Sequence, residues 1–269
     1  MGRETSIMGR KRGKIPLRTA AEIQSIREAC QVAASILRDL GEKVAPGVAT
    51  YDLEQEARRL FGEYGAESPC FNYVLPNHPP FSGYICLSVS DEIVHGSGSM
   101  RKILREGDNV TVDVAVRYRG WIGDNAATFA VGQVNEQMRG LLDHTQKALY
   151  EGIAMALSGN RVGHVSHRIQ KFVEAAGYSV VEQFVGHGVG RTMHEEPQVP
   201  NYGKPKDGPK LFPGVVIAIE PMVNMGRKEV VTDQDGWTAR TRDGLPSAHF
   251  EHTVLVTEGE PEILTIPQK

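Results

Sequence analysis

Leu104-Arg105-Glu106-Gly107-Asp108-Asn109-Val110-Thr111-Val112-Asp113 has a counterpart 107 residues downstream, Leu211-Phe212-Pro213-Gly214-Val215-Val216-Ile217-Ala218-Ile219-Glu220. Each stretch runs from a leucine through a turn glycine into a hydrophobic strand, and a carboxylate interrupts the strand at the same place. The correspondence extends outward. Upstream, Leu53, Ala57, Leu60, Phe61 and Gly65 fall, at an offset of 112, on Val165, Ile169, Phe172, Val173 and Gly177. Downstream, Asp124 and Gly132 fall, at an offset of 127, on Glu251 and Gly259. Three matches in chain order imply two structurally similar halves, about 19–134 and 135–269. Their sheets would meet and bring four equivalent carboxylates toward one axis. The slipping offset requires only loop insertions, chiefly around Gly226–Gly244.

The remaining elements fit this doubling. Thr19-Ala20-Ala21-Glu22 reads as a capping box, Ile23, Ile26, Cys30, Ala33, Leu37 and Leu40 follow at helical spacing, and Gly41 supplies the stop. A second helix carries Leu53 to Phe61 and ends at Gly65. Alternation and β-branched residues predict strands between Gly83 and Val131. Helices return at about Asn135–Leu157 and Gly163–Ala176, and strands dominate from Gly177 onward. The order helices, strands, helices, strands predicts an α+β fold with an antiparallel sheet core and flanking helices. We expect one catalytic domain over 19–269, preceded by a flexible basic arm at 1–18 with six Lys/Arg and one Glu. Met1-Gly2-Arg3-Glu4-Thr5-Ser6 formally fits a myristoylation pattern that is frequent by chance, and Met8-Gly9-Arg10 repeats the opening.

The 269 residues carry a net charge of −3, which gives no sign of a polyanionic partner for the body of the chain. No apolar run approaches the roughly 18–20 residues of a membrane span, so no membrane association is expected. Cys30, Cys70 and Cys86 are odd in number and contain no CxxC pair, which argues for a reducing compartment, the cytoplasm, and against a thiolate zinc site.

Side chains alternate across a strand, so the valines of 110–116 take one face and Asp113 takes the other, between Thr111 and Ala115. An ionised carboxylate in so apolar a strand is costly unless paired or metal-bound. One alone would be read as the partner of a buried arginine. Two at equivalent places, with Asp124 and Glu251 downstream, reverse that reading, because four clustered carboxylates repel and cations relieve the repulsion. His187, in Gly186-His187-Gly188-Val189-Gly190, is the candidate imidazole, since glycines on both sides let the backbone aim it into a tight site. His194, in Met193-His194-Glu195-Glu196-Pro197, and His95, in Val94-His95-Gly96, are further candidates. Four carboxylates with a neutral histidine carry −4, which two divalent ions balance. The oxygen-rich set suits Mn, Fe(II) or Co, and Zn is compatible. Two ions about 3.5–4 Å apart could share a bridging water that attacks a polarised carbonyl.

These segments resemble the type I methionine aminopeptidases from about Thr19 to Leu264. The resemblance is carried by Glu92–Gly96, Gly107–Asp113, Gly123-Asp124, Gly186–Gly190, His194–Pro197, Ile219–Val223 and Phe250–Thr253. It implies the "pita-bread" fold with a pseudo-two-fold axis and metal-dependent removal of the first methionine from nascent chains, with a small second residue preferred. It implies that Asp113 chelates one metal, that His187 and Glu220 hold the other, and that Asp124 and Glu251 bridge both. Glu220 would also accept a proton from the nucleophilic water, His194 would contact the carbonyl oxygen, and His95 would hydrogen-bond the scissile amide. Cys70, Tyr73, Met193 and Trp237 would form the methionine pocket, where a thioether packs against sulfur and aromatic walls. Phe71–Tyr84 and Asn201–Phe212 depart from the bacterial pattern, and the arm lacks the Cys-rich zinc module of eukaryotic type I enzymes.

Two relatives of the fold compete. A proline-specific enzyme of the Xaa-Pro aminopeptidase or prolidase kind shares the ligand set but carries a large extra N-terminal domain. A non-catalytic protein binding ribosomes, RNA or histones would have lost ligands that are all present here. A dinuclear phosphohydrolase is set aside for want of a phosphate-binding loop. The expected partners are nascent N-termini, with no sequence-specific nucleic acid and a monomeric state. For the basic arm, a solvated tail is preferred over contact with ribosomal RNA near the tunnel exit.

Overall fold

The computed structural model describes residues 14–76 and 78–267. Most of the expected basic arm, including the myristoylation pattern and Met8, lies outside the described residues. Of the arm's remaining residues, Ile15 packs on the core of the second half, and the Arg18 amide donates to the Gly214 carbonyl at 2.9 Å.

The first half runs α1 (Ala20–Gly41), α2 (Thr50–Tyr64), β1 (Cys86–Val89), β2 (Glu92–Val94), β3 (Asn109–Tyr118) and β4 (Trp121–Ala130). The second runs α3 (Glu136–Ile153), α4 (Val162–Ala175), β5 (Ser179–Val180), β6 (Gly186–Gly188), β7 (Glu195–Val199), β8 (Val216–Ile219), β9 (Met222–Asn224), β10 (Val230–Thr232), β11 (Ala239–Thr241), β12 (Ser247–His249), β13 (Glu251–Leu255) and β14 (Glu262–Ile263). One antiparallel sheet, ordered β1-β3-β4-β13-β8-β6-β7 with β14 beside β13, spans both halves, and β4 meets β13 at their seam.

The internal repeat inferred from residue types appears in the hydrogen bonds. The isolated bridge Ala49↔Ile103 has its equivalent in Arg161↔Lys210. Gly47 N donates to Leu104 O at 2.8 Å, as Gly159 N does to Leu211 O at 3.0 Å. The turn glycines Gly107 and Gly214 share a left-handed backbone, with φ of +88° and +89°, which explains why a glycine stands at both places. Each pair of helices covers its half of the sheet. α1 and α2 bury Ile36, Leu40, Leu53 and Phe61 against Val110, Val112 and Val114. α3 and α4 bury Leu141, Leu149, Val165 and Ile169 against Ile217 and Ile219.

Helix α1 begins on the expected capping box: the Glu22 amide donates to Thr19 Oγ1 at 3.3 Å, and the Thr19 amide donates to the Glu22 carboxylate at 2.9 Å. Its end corrects the expectation for Gly41. That residue lies within the last turn, and Glu42 caps the helix in a right-handed conformation. Gly41 lacks a Cβ because one would overlap the Phe129 ring, so its role is steric. Helix α3 is shorter than expected, ending at Ile153.

The insertion at Gly226–Gly244 forms the β10–β11 hairpin, which pairs with β2 of the first half. A buried ion cluster fixes it. Glu92, 2% exposed, accepts from Lys102 Nζ at 2.7 Å and from Arg240 Nη2 at 2.8 Å, and Arg240 also reaches Asp91 and Asp233, each at 2.7 Å. Removing one member would strand a charge away from water. Among the described residues no helix is long and apolar enough to cross a membrane.

Helix α1 lies on β4 so closely that a Cβ on Gly123 would overlap the Ala29 backbone. Because the obstacle is main chain, Gly123→Ala should destabilise the chain by roughly 1–3 kcal/mol. Denaturant unfolding would show this as a lower midpoint at constant slope; an unchanged midpoint would refute the close contact.

Candidate metal centre

Strand register brings the carboxylates together. Ala126 of β4 stands opposite Asp113 of β3 on one side and Glu251 of β13 on the other. Asp124, two residues before Ala126, shares its face of the sheet, and Glu220 follows directly on β8. Asp124 and Glu251 are 4% and 3% exposed. Asp124, His187 and Glu251 each offer a ligand atom within 4.8 Å of the others. His187 Nε2 lies 3.8 Å from Asp124 Oδ2 and 3.5 Å from Glu220 Oε1.

Among the described residues none of the four carboxylates is paired with Arg or Lys. Burial pushes Asp113 up to about 6, and it raises Asp124, Glu220 and Glu251 well above the usual carboxylate range, with their mutual repulsion adding to the effect. Glu251 Oε1 is buried without a hydrogen-bond partner. An orphaned acceptor, crowded acids and an adjacent imidazole make a donor set that fits divalent cations.

His187 is aimed by its neighbours. Its Nδ1–H donates to the Gly188 carbonyl at 3.1 Å, leaving the Nε2 lone pair toward the carboxylates. Side chains at Gly186 or Gly188 would overlap the Ala218 and Glu196 carbonyls, so both glycines are sterically required. Burial holds the His187 imidazole down to about 3, in the neutral form a ligand needs.

The centre opens into a cavity of about 760 Å³. Cys70, Phe81, Cys86 and Ala115 form an apolar wall, against which Tyr73, Met193 and Trp237 pack. Cys70 Sγ lies 3.8 Å from Met193 Sδ. The four residues expected for a methionine pocket are therefore together. Trp237 reaches the wall on the β10–β11 hairpin, and its Nε1–H donates to the Pro79 carbonyl at 2.7 Å. The 71–84 segment is thereby tied to the insertion.

His194 and His95 also line this cavity. The His194 ring meets His187 edge-on, with centroids 4.6 Å apart, and its Nδ1 shares a hydrogen bond with the Tyr73 hydroxyl at 3.2 Å. His95 has a left-handed backbone, φ +61°, a costly conformation for a residue with a side chain. Its ring packs edge-on against Phe184 at 5.1 Å and Trp237 at 6.2 Å. Burial holds His95 down to about 4 and lowers His194, so both are neutral near pH 7.

Three residues of this site escape sequence reasoning. His249 is 1% exposed, with neither ring nitrogen hydrogen-bonded, and its Nε2 lies 3.8 Å from Glu220 Oε2. Burial holds it down to about 3. The available signal was its place two residues before Glu251. Cys86 is the register partner of Asp113, and Phe81 completes the wall; neither carries a recognisable pattern.

With this geometry in view, the chain was compared with known proteins. Residues 24–258 match the model of metallopeptidase family M24. The chain is similar to methionine aminopeptidase B of Synechocystis, at 44% identity over 93% of this chain and 91% of that protein. It is also similar to the methionine aminopeptidase of Escherichia coli, at 39% identity over 94% of each. Its structure resembles the crystal structure of methionine aminopeptidase from Thermotoga maritima, with a TM-score of 0.90, 41% identity and coverage of 94% and 99%. The prolidase from Pyrococcus furiosus shares the fold, with a TM-score of 0.76 and 24% identity, and this chain covers 66% of it.

The raised carboxylates make a prediction with a definite sign. A buried acid whose pKa is raised favours the folded, cation-free chain at low pH, and that contribution is lost as pH rises through about 6 for Asp113. The lowered imidazoles act oppositely between about 3 and their ordinary value of 6.5, and above that they are neutral in either state. Adding Mn²⁺ should therefore release protons, and more of them near pH 6 than in mildly alkaline buffer. Calorimetry in buffers of different ionisation enthalpy measures the release; none at either pH would contradict this electrostatic picture.

Proposed function

The chain belongs to metallopeptidase family M24, and from that membership together with the geometry of its site we infer that it is a metal-dependent aminopeptidase that removes N-terminal methionine. The observation that carries this conclusion is the buried Asp124–His187–Glu251 group facing a cavity walled by Cys70, Met193, Tyr73 and Trp237. A thioether side chain packs well on sulfur and aromatic surfaces, so the wall suits methionine. The prolidase-like alternative has less support, since the more similar relatives are methionine aminopeptidases.

In this reading Asp113, Asp124, His187, Glu220 and Glu251 hold two divalent cations, drawn from Co, Mn and Fe(II), with Zn compatible. The −4 of four carboxylates against a neutral imidazole supports the number two. When bound, such ions supply Lewis acidity, which polarises a carbonyl and makes water a better nucleophile. The chain's own groups do the rest. Glu220, raised by burial and by Asp124 and Asp113, is suited to take and return a proton near neutral pH. Neutral His194 can donate to the carbonyl oxygen as charge develops there. Neutral His95 can hydrogen-bond the scissile amide from across the cavity. The substrate's free amine would sit near Asp113, which an internal peptide cannot supply, so cleavage is confined to the chain end. The substrates are then new N-termini with a small second residue, met in the cytoplasm.

Hydrolysis of Met-Ala-Ser should stop on chelation and return with Mn²⁺, Co²⁺ or Fe²⁺, while an Xaa-Pro peptide is left uncut. Asp113→Ala should abolish turnover. His194→Ala should keep its metal, by elemental analysis, and lose roughly 10²–10³ in kcat, as when one oxyanion donor is removed. Full activity in chelator, or a wild-type rate for Asp113→Ala, would overturn the mechanism.

A further inference from the structure

Residues 190–194, between β6 and β7, carry Met193 and His194 without any strand pairing of their own. The first residues of this turn are anchored by Ile122 N–H, which donates to the Gly190 carbonyl at 2.9 Å, and by Arg117 Nη1, which donates to the Arg191 carbonyl at 3.0 Å. The Glu195 side chain holds two of its amides. Oε1 of Glu195 accepts the backbone N–H groups of Arg191 at 2.7 Å and Thr192 at 3.1 Å. Its Oε2 accepts from Arg18 Nη2, an ion pair whose side chains are 10% and 13% exposed. A single carboxylate thus ties the catalytic turn to a residue 177 positions earlier.

Arg18 is itself seated at several points. Its amide donates to Gly214 O, and its guanidinium lies 5.5 Å from the centroid of the Trp121 ring, over which Arg191 also stacks at 3.7 Å. A Cβ on Gly190 would overlap the Arg18 guanidinium, and one on Gly214 would press on the Arg18 carbonyl at 3.0 Å. Both glycines thus make room for the same arginine. On the far side of the turn, the Tyr73 hydroxyl and edge contacts with His187 and Tyr73 hold the His194 ring.

We propose that Arg18 is a positioning residue for catalysis: through Glu195 it fixes the turn that presents His194 to the substrate carbonyl and Met193 to the methionine side chain. This rests on the role given to His194 above. Neutralising Arg18 leaves the Glu195 carboxylate without its counter-charge in a nearly closed site. The carboxylate then turns toward water and releases the Arg191 and Thr192 amides. A displacement of His194 of about 1 Å is enough to cost up to ~10²-fold in rate.

The test uses the full chain with Mn²⁺ and Met-Ala-Ser, measuring kcat and KM for wild type, Arg18→Met, Arg18→Lys, Glu195→Gln, His194→Ala and the Arg18→Met/His194→Ala double variant. Arg18→Met and Glu195→Gln should each lower kcat about 10-fold or more at unchanged metal content, with Arg18→Lys recovering part of the loss. In the His194→Ala background, Arg18→Met should lower kcat no further, because the group it positions for the chemical step is gone, and its effect through Met193 should then show in KM alone. The same fractional loss in both backgrounds would show a general structural role and overturn the proposal. So would a wild-type kcat in both Arg18→Met and Glu195→Gln. Should Arg18→Met fail to fold, Glu195→Gln takes its place in the double variant. A wild-type chain that leaves Met-Ala-Ser intact, or a His194→Ala variant at wild-type rate, would remove the underlying reading and this proposal with it.

Discussion

Asp124 and Glu251 stand on the two strands that join the halves of the molecule, nearly closed to solvent and, among the described residues, without an Arg or Lys to neutralise them. Left ionised and uncompensated, such a pair would push the seam apart. The surrounding structure is arranged to hold it shut. Thr253 Oγ1 of β13 donates to the Asp124 carbonyl at 2.7 Å. Thr128 exchanges hydrogen bonds with the backbone of His249, each 2.8 Å, and pairs with Thr111 at 2.8 Å. Asn109 Nδ2 donates to Ser247 O at 2.7 Å. All but the Thr111–Thr128 pair cross between the halves. They hold the strands that carry the acids together while Glu251 Oε1 has no hydrogen-bond partner, which is the condition a cation needs.

Pseudo-symmetry explains how so unfavourable a cluster arises from ordinary strands. Each half contributes one acid within or directly after a hydrophobic strand, Asp113 and Glu220, and one acid on the strand beside it in the sheet, Asp124 and Glu251. Joining β4 to β13 superposes two modest liabilities into one deep negative basin. Neither half alone would concentrate enough charge to select a divalent ion over a lysine.

Much of this was legible in the chain because the repeat is written in residue types that physics constrains twice. A glycine at φ near +88° and an acid inside a valine run are both hard to place by accident, and both recur. What the residues did not disclose follows from different causes. Gly41 was misread because a glycine serves either conformation or clearance, and only the neighbouring Phe129 ring tells which. His249 stayed hidden because a histidine beside Phe250 and Glu251 has no periodic signature; its importance lies in what its ring faces. Cys86 and Phe81 look like core, and they are core, but a core that forms one wall of a cavity. Arg18 was legible as a charge and not as a fixed group, since its partner is 177 residues away.

The histidines and the methionine wall obey a different rule from the acids. His95, His194, Tyr73, Met193 and Trp237 all sit outside the strands, on turns or on the insertion, and each segment is secured by a few ties. Trp237 is held through Pro79 and through the Glu92–Arg240 cluster, His194 through Glu195, and His95 by a strained backbone beside Gly96. Strand pairing cannot be altered at the seam without scattering the acids, whereas a turn can change its side chains while keeping its ties. In the proposed function this division gives cation binding to the paired strands and substrate choice to the turns above them.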